Sequence, residues 1–305
     1  MSLSRRTFLA TAALVAVIGS LLGLTSHAPT ASAATGTTSK VIVFVEENHS
    51  LTQMKNGMPY LFGLAKKYGY ADNWTATTHP SLPNYLAIAG GSTFGVTSDG
   101  APVTLDGVTP STNAKKVGNA ISVFDQAIAA GKTAKIYNEG MPTNCRLTSY
   151  STGKYAVKHN PWAYFGTTTP RANCSQYDVP LTPLAADITN NALPNAGMVV
   201  PNLCNDGHNC SLTIADNWLK TRIGPMLTST DFTSGALTII VTADEDDRSS
   251  GNKVLTVVMH AGMAPTVVTS PLTHYSLTRY YAQVLGVTPL LNGATAPDMK
   301  AAFGL

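Results

Sequence analysis

Polar side chains that can bind a cation are grouped at the ends of four apolar runs in this sequence. Glu47 and Asn48 follow the apolar run 40–45, and Asp244 follows the run 236–242. Carboxylate and amide oxygens are the ligands that hard or borderline divalent cations prefer. Asn and Asp also occur at strand ends as simple turn formers, but four clusters at one sheet edge favour a divalent metal site. The clusters are EENH at 46–49, NE at 138–139, PNLCNDGH at 201–208 and ADEDD at 243–247.

A second feature is Ser81, which lies between two prolines at the start of the apolar, helix-like segment SLPNYLAIAGG. The first amide groups of a helix are free to bind an anion. Ser81 could therefore be a nucleophile whose phosphoryl adduct rests on these amides. It could equally be a simple N-cap of the helix. Thr78, one helical turn earlier, is the competing hydroxyl.

Histidine provides candidate proton-transfer groups at three positions. A lone histidine is more often a structural residue than a catalyst, although its usual pKa suits proton transfer near neutral pH. His159 lies beside Asn160, and His208 lies near Asp206 in a short loop between two cysteines. We therefore favour these two histidines over His274 as functional residues.

Strand-like and helix-like segments alternate along the chain, and they must position these side chains. The apolar, β-branched runs lie at 40–45, 133–137, 196–200, 236–242 and 253–259. Helical patterns lie at 58–69, 117–131, 211–227 and 274–286. This order predicts an α/β fold, a three-layer sandwich whose mostly parallel sheet is covered by helices on both faces. Ligands of such sheets bind at the carboxyl ends of the strands. The long region 138–195 is expected to form a stapled cover over one end of the sheet.

The first 33 residues have the pattern of an export signal. Arg5 and Arg6 precede an apolar run, and the small residues at 31–33 provide a cleavage site, which predicts export by the twin-arginine route. A retained membrane anchor is the alternative. We expect residues 34–305 to form a single secreted domain with no stable membrane anchor. Loss of the two arginines lowers the formal net charge from +3 to +1, so nucleic acid is not an expected partner.

Four cysteines lie in the predicted mature chain. In an oxidising compartment they can form two disulfides in three possible pairings. We favour Cys204 with Cys210 and Cys145 with Cys174. A zinc site is the competing interpretation, although no C-x-x-C spacing is present.

Five blocks, in this order, resemble the bacterial phosphoesterase family that contains acid phosphatases and phosphatidylcholine-type phospholipases C. That family lies within the alkaline-phosphatase-like superfamily. The similarity extends over most of the predicted mature chain. The blocks are EENHS, HPSLPNYLAIAGG, KHNPWAYF, VPNLCNDGHNCS and TADEDD.

The resemblance implies roles for seven side chains of this sequence. The late motif departs from the D-E-x-G-G of many relatives, so Asp246 or Asp247 could alter the metal site. The chain is also shorter than typical phospholipases C and lacks their extra C-terminal domains, which favours a minimal, phosphatase-like form. The implied roles are metal ligands for Glu47 and Asn48, acidic metal-site residues for Asp244 and Glu245, the nucleophile for Ser81, and phosphoryl contact or proton transfer for His159 and His208.

These features together predict a secreted, metal-dependent phosphoric-ester hydrolase. An acid phosphatase acting on small phosphate monoesters through phosphoserine is the favoured function. A phospholipase C that cleaves lipid headgroup phosphodiesters is the alternative, and Trp162, Tyr164 and Phe165 could line its apolar entrance or simply belong to the core. A non-catalytic envelope binder of phosphate or glycan would need neither Ser81 nor the carboxylates. A serine carboxylesterase is disfavoured because no G-x-S-x-G motif occurs.

Overall fold

Among the residues that the structure describes, nine strands form one sheet. The structure, a computed structural model, describes residues 1, 37–166 and 169–305. The predicted export signal at 1–33 lies outside these residues, apart from Met1, and stays a prediction. The strands are β1 Lys40–Glu46, β2 Gly69–Thr75, β3 Ala134–Asn138, β4 Asp178–Pro180, β5 Ala196–Val200, β6 Leu237–Ala243, β7 Lys253–His260, β8 Thr266–Val268 and β9 Leu272–Thr273.

The sheet is mostly parallel, as predicted. Its order is β4-β3-β5-β1-β6-β7-β2-β8, and β9 pairs with β2. Only β7 runs antiparallel to its two neighbours among these strands. The central strands β1, β5 and β6 are almost wholly buried, which explains why their sequences are continuous apolar runs instead of alternating ones.

Helices cover the sheet in two layers. Helices α3, α5 and α10 pack together in one layer, and α1, α2 and α8 pack together in the other. The predicted α/β sandwich is therefore confirmed. The helices are α1 Leu51–Gly57, α2 Pro59–Lys67, α3 Ser81–Gly90, α4 Thr112–Val117, α5 Val123–Ala129, α6 Thr169–Tyr177, α7 Leu184–Thr189, α8 Leu212–Thr228, α9 Thr230–Thr233, α10 His274–Leu285 and α11 Met299–Phe303.

Local signals set several of these boundaries. Ser122 accepts a hydrogen bond from the backbone N–H of Asp125 and caps α5, which begins at Val123, six residues later than the predicted start at 117. Gly286 ends α10 in the left-handed conformation. Along the described residues, no helix combines the length and the apolar character that crossing a bilayer requires.

Both predicted disulfides are present. Cys145 is joined to Cys174, and Cys204 is joined to Cys210. The predicted cover region contains the first disulfide, but it also contributes β4 to the edge of the sheet beside β3. Asp178 lies close to the sulfur atoms of the first disulfide. Because those sulfurs are bonded to each other, they are not thiolates available to zinc.

Candidate active site

Two neighbouring strands bring the first acidic residues together. Strands β1 and β6 are parallel, and Glu46 at the end of β1 is paired with Ala243 at the end of β6. Asn48, which has a φ of 48°, turns the chain away from the sheet. Its backbone amide donates to Asp244 Oδ1 over 3.2 Å. Glu47, Asn48 and Asp244 therefore lie at the same edge of the sheet, where the sequence predicts them.

Glu245 joins this cluster from the next position of the chain. Its backbone amide donates to Asp244 Oδ1 over 2.7 Å. Its carboxylate oxygen Oε2 lies 2.8 Å from His79 Nδ1 and accepts a longer hydrogen bond, 3.4 Å, from Asn84 Nδ2. His79 and Asn84 therefore hold Glu245 from the segment around Ser81.

Ser81 is the first residue of α3 and does not cap it. Pro80 occupies the N-cap position, and its side chain forms no capping hydrogen bond. Ser81 is 1 % exposed, and its hydroxyl donates to Glu47 Oε2 over 3.2 Å. Thr78 instead bonds its hydroxyl to the backbone oxygen of His79. Of the two competing hydroxyls, only that of Ser81 contacts the acidic cluster.

Lys158 and Asp99 complete the surroundings of Ser81. Lys158 Nζ lies 3.4 Å from Ser81 Oγ and 3.1 Å from Asp99 Oδ2. Asp99 Oδ1 accepts the backbone N–H of Leu82 over 3.0 Å, so Asp99 supplies the cap that Ser81 does not. Burial lowers the pKa of Lys158, but Glu47 and Asp99 outweigh burial and raise it overall. Lys158 is therefore a persistent cation beside the hydroxyl.

His159 is buried against the other side of Glu47. Its Nε2 lies 3.2 Å from Glu47 Oε1 and its Nδ1 lies 3.4 Å from Asp206 Oδ2. The ring stacks on Tyr85, whose hydroxyl donates to Glu47 Oε1 over 2.5 Å. Burial opposes the charge of His159, but the two carboxylates raise its pKa to about 9. Burial likewise opposes the charge of Glu47, but His159 and Tyr85 bring its pKa below the usual value. The two groups form a buried ion pair.

His208 lies at the exposed end of the same group. It belongs to the loop closed by the Cys204–Cys210 disulfide, and its ring centre is 6.0 Å from that of His159. Asp206 Oδ1 accepts the backbone N–H of His208 over 2.8 Å. The His208 ring itself bonds to the neighbouring Asn209 side chain. The structure thus places both favoured histidines at this edge of the sheet, with only His159 buried.

His274, the histidine that was not favoured from the sequence, bonds to the backbone of the acidic cluster. Trp74 Nε1 donates to His274 Nδ1, and His274 Nε2 then donates to the backbone oxygen of Asp244 over 2.6 Å. Burial lowers the pKa of His274 to about 4, so this histidine is neutral. It acts as a positioning group for Asp244.

The acidic cluster fits a divalent cation. Asp244 Oδ2 is buried and has no hydrogen-bond partner among the described residues. One terminal atom of the Asn48 amide lies 3.3 Å from Glu47 Oε2 and 3.1 Å from Glu245 Oε1. As nitrogen this atom would donate to both carboxylates, and as oxygen it would share a cation with them.

The charges of the cluster favour the same conclusion. Burial, Glu47 and Glu245 raise the pKa of Asp244 well above its usual range. Burial and Glu47 likewise raise the pKa of Glu245 to about 8. A cation would offset this repulsion. The carboxylates of Glu47, Asp244 and Glu245 do not by themselves converge on one position for a cation. Within the described residues, only Cys145, Cys174 and Asp178 place three His, Cys, Asp or Glu ligand atoms within 4.8 Å of one another. The Asn48 amide is the group that bridges Glu47 and Glu245.

Asp246 and Asp247, the two acids that depart from the relatives' motif, do not join the acidic cluster directly, although Asp246 Oδ1 lies 3.2 Å from Nε2 of His79. Asp246 accepts the backbone amides of Arg248, Ser250 and Asn252, and therefore builds the loop that follows β6. Asp247 is exposed and accepts a hydrogen bond from Gln53. Neither carboxylate forms a hydrogen bond with Glu47, Asn48 or Asp244.

The three aromatic residues near His159 are core residues. Trp162, Tyr164 and Phe165 are each at most 1 % exposed. Trp162 bonds to Asp125, and Tyr164 bonds to the backbone oxygen of Gly100. These contacts give no support to an apolar substrate entrance at this position.

Several residues that contact the site were not among the sequence predictions. Lys158 is adjacent to the proposed His159, and Tyr85 lies one helical turn after Ser81, so their spacing was a usable signal. Asp206 lies in a segment that the sequence had marked. Asp99 lies in a polar loop with no distinguishing pattern, and only the fold brings it to Leu82.

The sheet and its helices define the class of protein. A solved structure of a protein in the alkaline phosphatase superfamily from Vibrio parahaemolyticus superimposes with a TM-score of 0.58 and 13% sequence identity. The match covers 87% of this chain and 70% of that chain. The fold is therefore alkaline-phosphatase-like, as the resemblance implied.

The sequence identifies the family within this class. The phosphoesterase family pattern matches residues 43–287, and the chain belongs to that family. The chain is 29% identical over 290 residues to a phosphatidylinositol-3-phosphatase of Mycobacterium tuberculosis, a match over 94% of this chain and 90% of the relative. It is 30% identical over 224 residues to a phosphate-repressible acid phosphatase of Penicillium chrysogenum, covering 70% of this chain and about half, 51%, of that relative's length. The predicted class of enzyme is confirmed, since the protein is a hydrolase acting on phosphoric esters.

Proposed function

We propose that the protein is an exported, metal-dependent phosphatase of the acid phosphatase type, which hydrolyses phosphate monoesters through a phosphoserine intermediate. The observation that carries this proposal is the environment of Ser81. Its hydroxyl lies between the Glu47 carboxylate, at 3.2 Å, and the Lys158 ammonium, at 3.4 Å. A carboxylate that orients the hydroxyl and a cation beside it are suited to nucleophilic attack on an anionic phosphoryl group.

The reaction has two displacements at phosphorus. Ser81 Oγ attacks phosphorus in line, the ester oxygen leaves with a proton, and the phosphoryl group stays on Ser81. Water then attacks phosphorus, the bond to Ser81 Oγ breaks, and inorganic phosphate is released. Lys158 offsets the charge on the phosphoryl oxygens in both steps. Glu47 Oε2 accepts a hydrogen bond from the Ser81 hydroxyl and so holds Ser81 Oγ in position for attack. In the first step Glu47 takes the proton of Ser81, and in the second it returns that proton to Ser81 Oγ, while the histidine that protonated the leaving group takes a proton from the attacking water.

The two favoured histidines take different roles. His159 is ion-paired with Glu47 and forms no hydrogen bond with Ser81, so it positions the carboxylate that orients the nucleophile. His208 is exposed near it, in the loop closed by the Cys204–Cys210 disulfide. We assign His208 to protonation of the leaving ester oxygen.

The four oxygen ligands of the acidic cluster would hold a divalent metal ion. When bound, such an ion lowers the pKa of a neighbouring hydroxyl and offsets phosphoryl charge. Asp244 Oδ2, which has no hydrogen-bond partner among the described residues, and the Asn48 amide oxygen would be available to bind this ion. The ligand set contains only oxygen atoms, which favours a hard cation.

Hydrolysis of p-nitrophenyl phosphate and of p-nitrophenylphosphorylcholine, each with and without chelator, tests this function. We expect the monoester to be hydrolysed much faster, and chelation to abolish the reaction until a divalent metal is restored. A faster reaction with the choline diester would favour phospholipase C instead. Equal rates before and after complete metal removal would contradict metal dependence.

A phosphorylated lipid headgroup is a second candidate substrate. The mycobacterial phosphatidylinositol-3-phosphatase matches nearly the whole of both chains, whereas the fungal relative is matched over about half its length. The chemistry at Ser81 would be the same, because that substrate is also a phosphate monoester. Release of phosphate from short-chain phosphatidylinositol 3-phosphate, compared with p-nitrophenyl phosphate at equal concentration, separates the two candidates.

A further inference from the structure

A cavity of about 610 Å³ lies between α7, α8 and the ends of β3 and β4. Its volume falls within the range of small-molecule sites, roughly 300–1,000 Å³. Most of its walls are apolar, and they include Met141, Leu181, Leu184 and Ile188. Neither Ser81 nor the acidic cluster lines it, so the proposed catalytic site does not account for this cavity.

Arg222 is the only cationic side chain in the wall of this cavity. Its guanidinium group lies 5.3 Å over the ring of Trp218. Its Nε atom is buried without a hydrogen-bond partner, and the ion pairs seen among described residues involve other cations. Arg222 as a whole is half-buried, but a buried donor atom left unsatisfied is costly. An anion in the cavity would remove that cost.

The one acidic group of the wall is already satisfied. Glu139 Oε1 accepts Trp218 Nε1 over 2.9 Å. Glu139 Oε2 accepts the backbone N–H of Asn202 and the side-chain amide of Asn205, over 3.0 and 2.8 Å. The Glu139 carboxylate is thus hydrogen-bonded to three donors, and it forms no ion pair with Arg222 among the described residues. Among the described residues, the mostly apolar wall of this cavity therefore contains one cation, Arg222, that is paired with no carboxylate.

We propose that this cavity binds a monoanionic amphiphile of the fatty-acid class, with its carboxylate on Arg222 and its alkyl chain between α7 and α8. One guanidinium matches one carboxylate in a bidentate geometry. A phosphate dianion would leave a second charge in an apolar space, which is unfavourable. The alkyl chain gains roughly 0.8 kcal/mol for each buried methylene group, so affinity should rise with chain length until the cavity is filled.

The site is distinct from the phosphatase centre and does not depend on the function proposed for it. The two regions approach each other through Glu139, which bonds to Asn202 and Asn205 next to the loop that carries His208. Because Ser81 does not line the cavity, binding of decanoate should persist in Ser81→Ala, and inorganic phosphate should not compete with it. An experiment that rejects the amphiphile site would therefore leave the phosphatase assignment intact, and the reverse also holds.

Calorimetric titration of the mature chain with sodium decanoate, decanol and sodium acetate tests the proposal. We expect decanoate to bind with micromolar to submillimolar affinity and acetate not to bind. Arg222→Gln should weaken the binding of decanoate at least tenfold and leave the binding of decanol unchanged. Arg222→Lys should retain part of the affinity for decanoate. Lys220→Gln, an exposed cation on the same helix, is the matched control and should leave both unchanged.

A second variant tests the location without changing charge. Ala185 lines the cavity and is exposed, so Ala185→Phe should narrow the space while the fold is retained. It should weaken decanoate and decanol together. No detectable decanoate binding to the wild type, equal affinity in Arg222→Gln, or loss of binding in Ser81→Ala would each overturn the proposal.

Discussion

The Ser81 hydroxyl donates a hydrogen bond to the Glu47 carboxylate, with 3.2 Å between Ser81 Oγ and Glu47 Oε2. This contact joins the start of α3 to the end of β1, two elements that are distant in the sequence. The hydroxyl is therefore oriented by the carboxylate, while Asp99 caps the helix through Leu82. Orientation and helix capping are separate functions here, so they can be tested separately.

Replacement of Ser81 by Ala should abolish turnover without unfolding the protein. We expect kcat to fall roughly 10³-fold or more, as for other nucleophiles. Because Ser81 does not cap α3, the free energy of unfolding should change by only about 1 kcal/mol, the net value of one hydrogen bond. Acid-quenched wild-type enzyme should contain phosphoserine in the peptide that includes residue 81. Thr78→Ala is the control and should keep most of the activity, and near-normal turnover by Ser81→Ala would falsify the assignment.

Lys158 should be needed for transition-state stabilisation. Lys158→Gln removes the cation beside Ser81 Oγ, and loss of one such electrostatic contact costs roughly 10²- to 10³-fold in kcat. Lys158→Arg should recover part of this loss because the charge is retained. Lys154→Gln, an exposed lysine of the same segment, serves as the control. A Lys158→Gln enzyme with unchanged kcat toward p-nitrophenyl phosphate would remove Lys158 from the mechanism.

Asp99 should weaken the binding of anions to the site. Its carboxylate occupies both the Leu82 amide and the Lys158 ammonium, the two groups best placed to receive a phosphate oxygen. Asp99→Asn keeps an acceptor for Leu82 but removes the negative charge. We expect inorganic phosphate to become a several-fold stronger competitive inhibitor, because like charges repel at short range. An unchanged inhibition constant would show that the carboxylate moves aside at no cost.

Metal binding should depend on Asp244. Asp244→Asn keeps the size of the side chain but removes the charge, so both the metal content of the purified protein and its activity should fall. The bound metal is measured by elemental analysis, a readout independent of turnover. Asp247→Asn is the matched control, since Asp247 is exposed three positions later and bonds to Gln53. Full metal occupancy in Asp244→Asn would exclude Asp244 as a ligand.

The sequence predicted the strands with continuous apolar character much better than the short ones. The run 196–200 coincides with β5, because strands buried on both faces carry an unmistakable apolar signal. Strand β2 was not predicted, since its sequence GYADNWT contains Asp and Asn and reads as a loop. Its pairing with β7 and β8 is decided by tertiary contacts.

The sequence predicted the site residues that directly follow strands, but it did not predict those that reach the site from loops. Glu47 and Asp244 follow β1 and β6, so the parallel arrangement of these strands was enough to bring them together. Asp99 reaches Leu82 from a loop whose path no local pattern specifies. The role of His274 was equally hidden, because it acts on the backbone of Asp244 from the start of another helix.

Stability should fall as pH rises from weakly acidic to neutral values, and Asp178 should account for part of that slope. Asp178 is fully buried, and although Asn160 and Asn138 donate to it, burial raises its pKa to about 8. The unfolded carboxyl has a pKa of about 3.9, so between these values the native state holds one more proton than the unfolded state. The free energy of unfolding then decreases by up to about 1.4 kcal/mol for each pH unit that the pH rises, and the full contribution of Asp178 is present below the unfolded pKa.

Asp178→Asn carries no titrating proton at this position. Urea unfolding of the two proteins at about pH 5 and about pH 7 should therefore show a smaller change in the free energy of unfolding for the variant. Asp72→Asn, at an exposed ion pair with Lys55, is the control, and parallel pH profiles for Asp178→Asn and the wild type would show that Asp178 is already ionised at acidic pH.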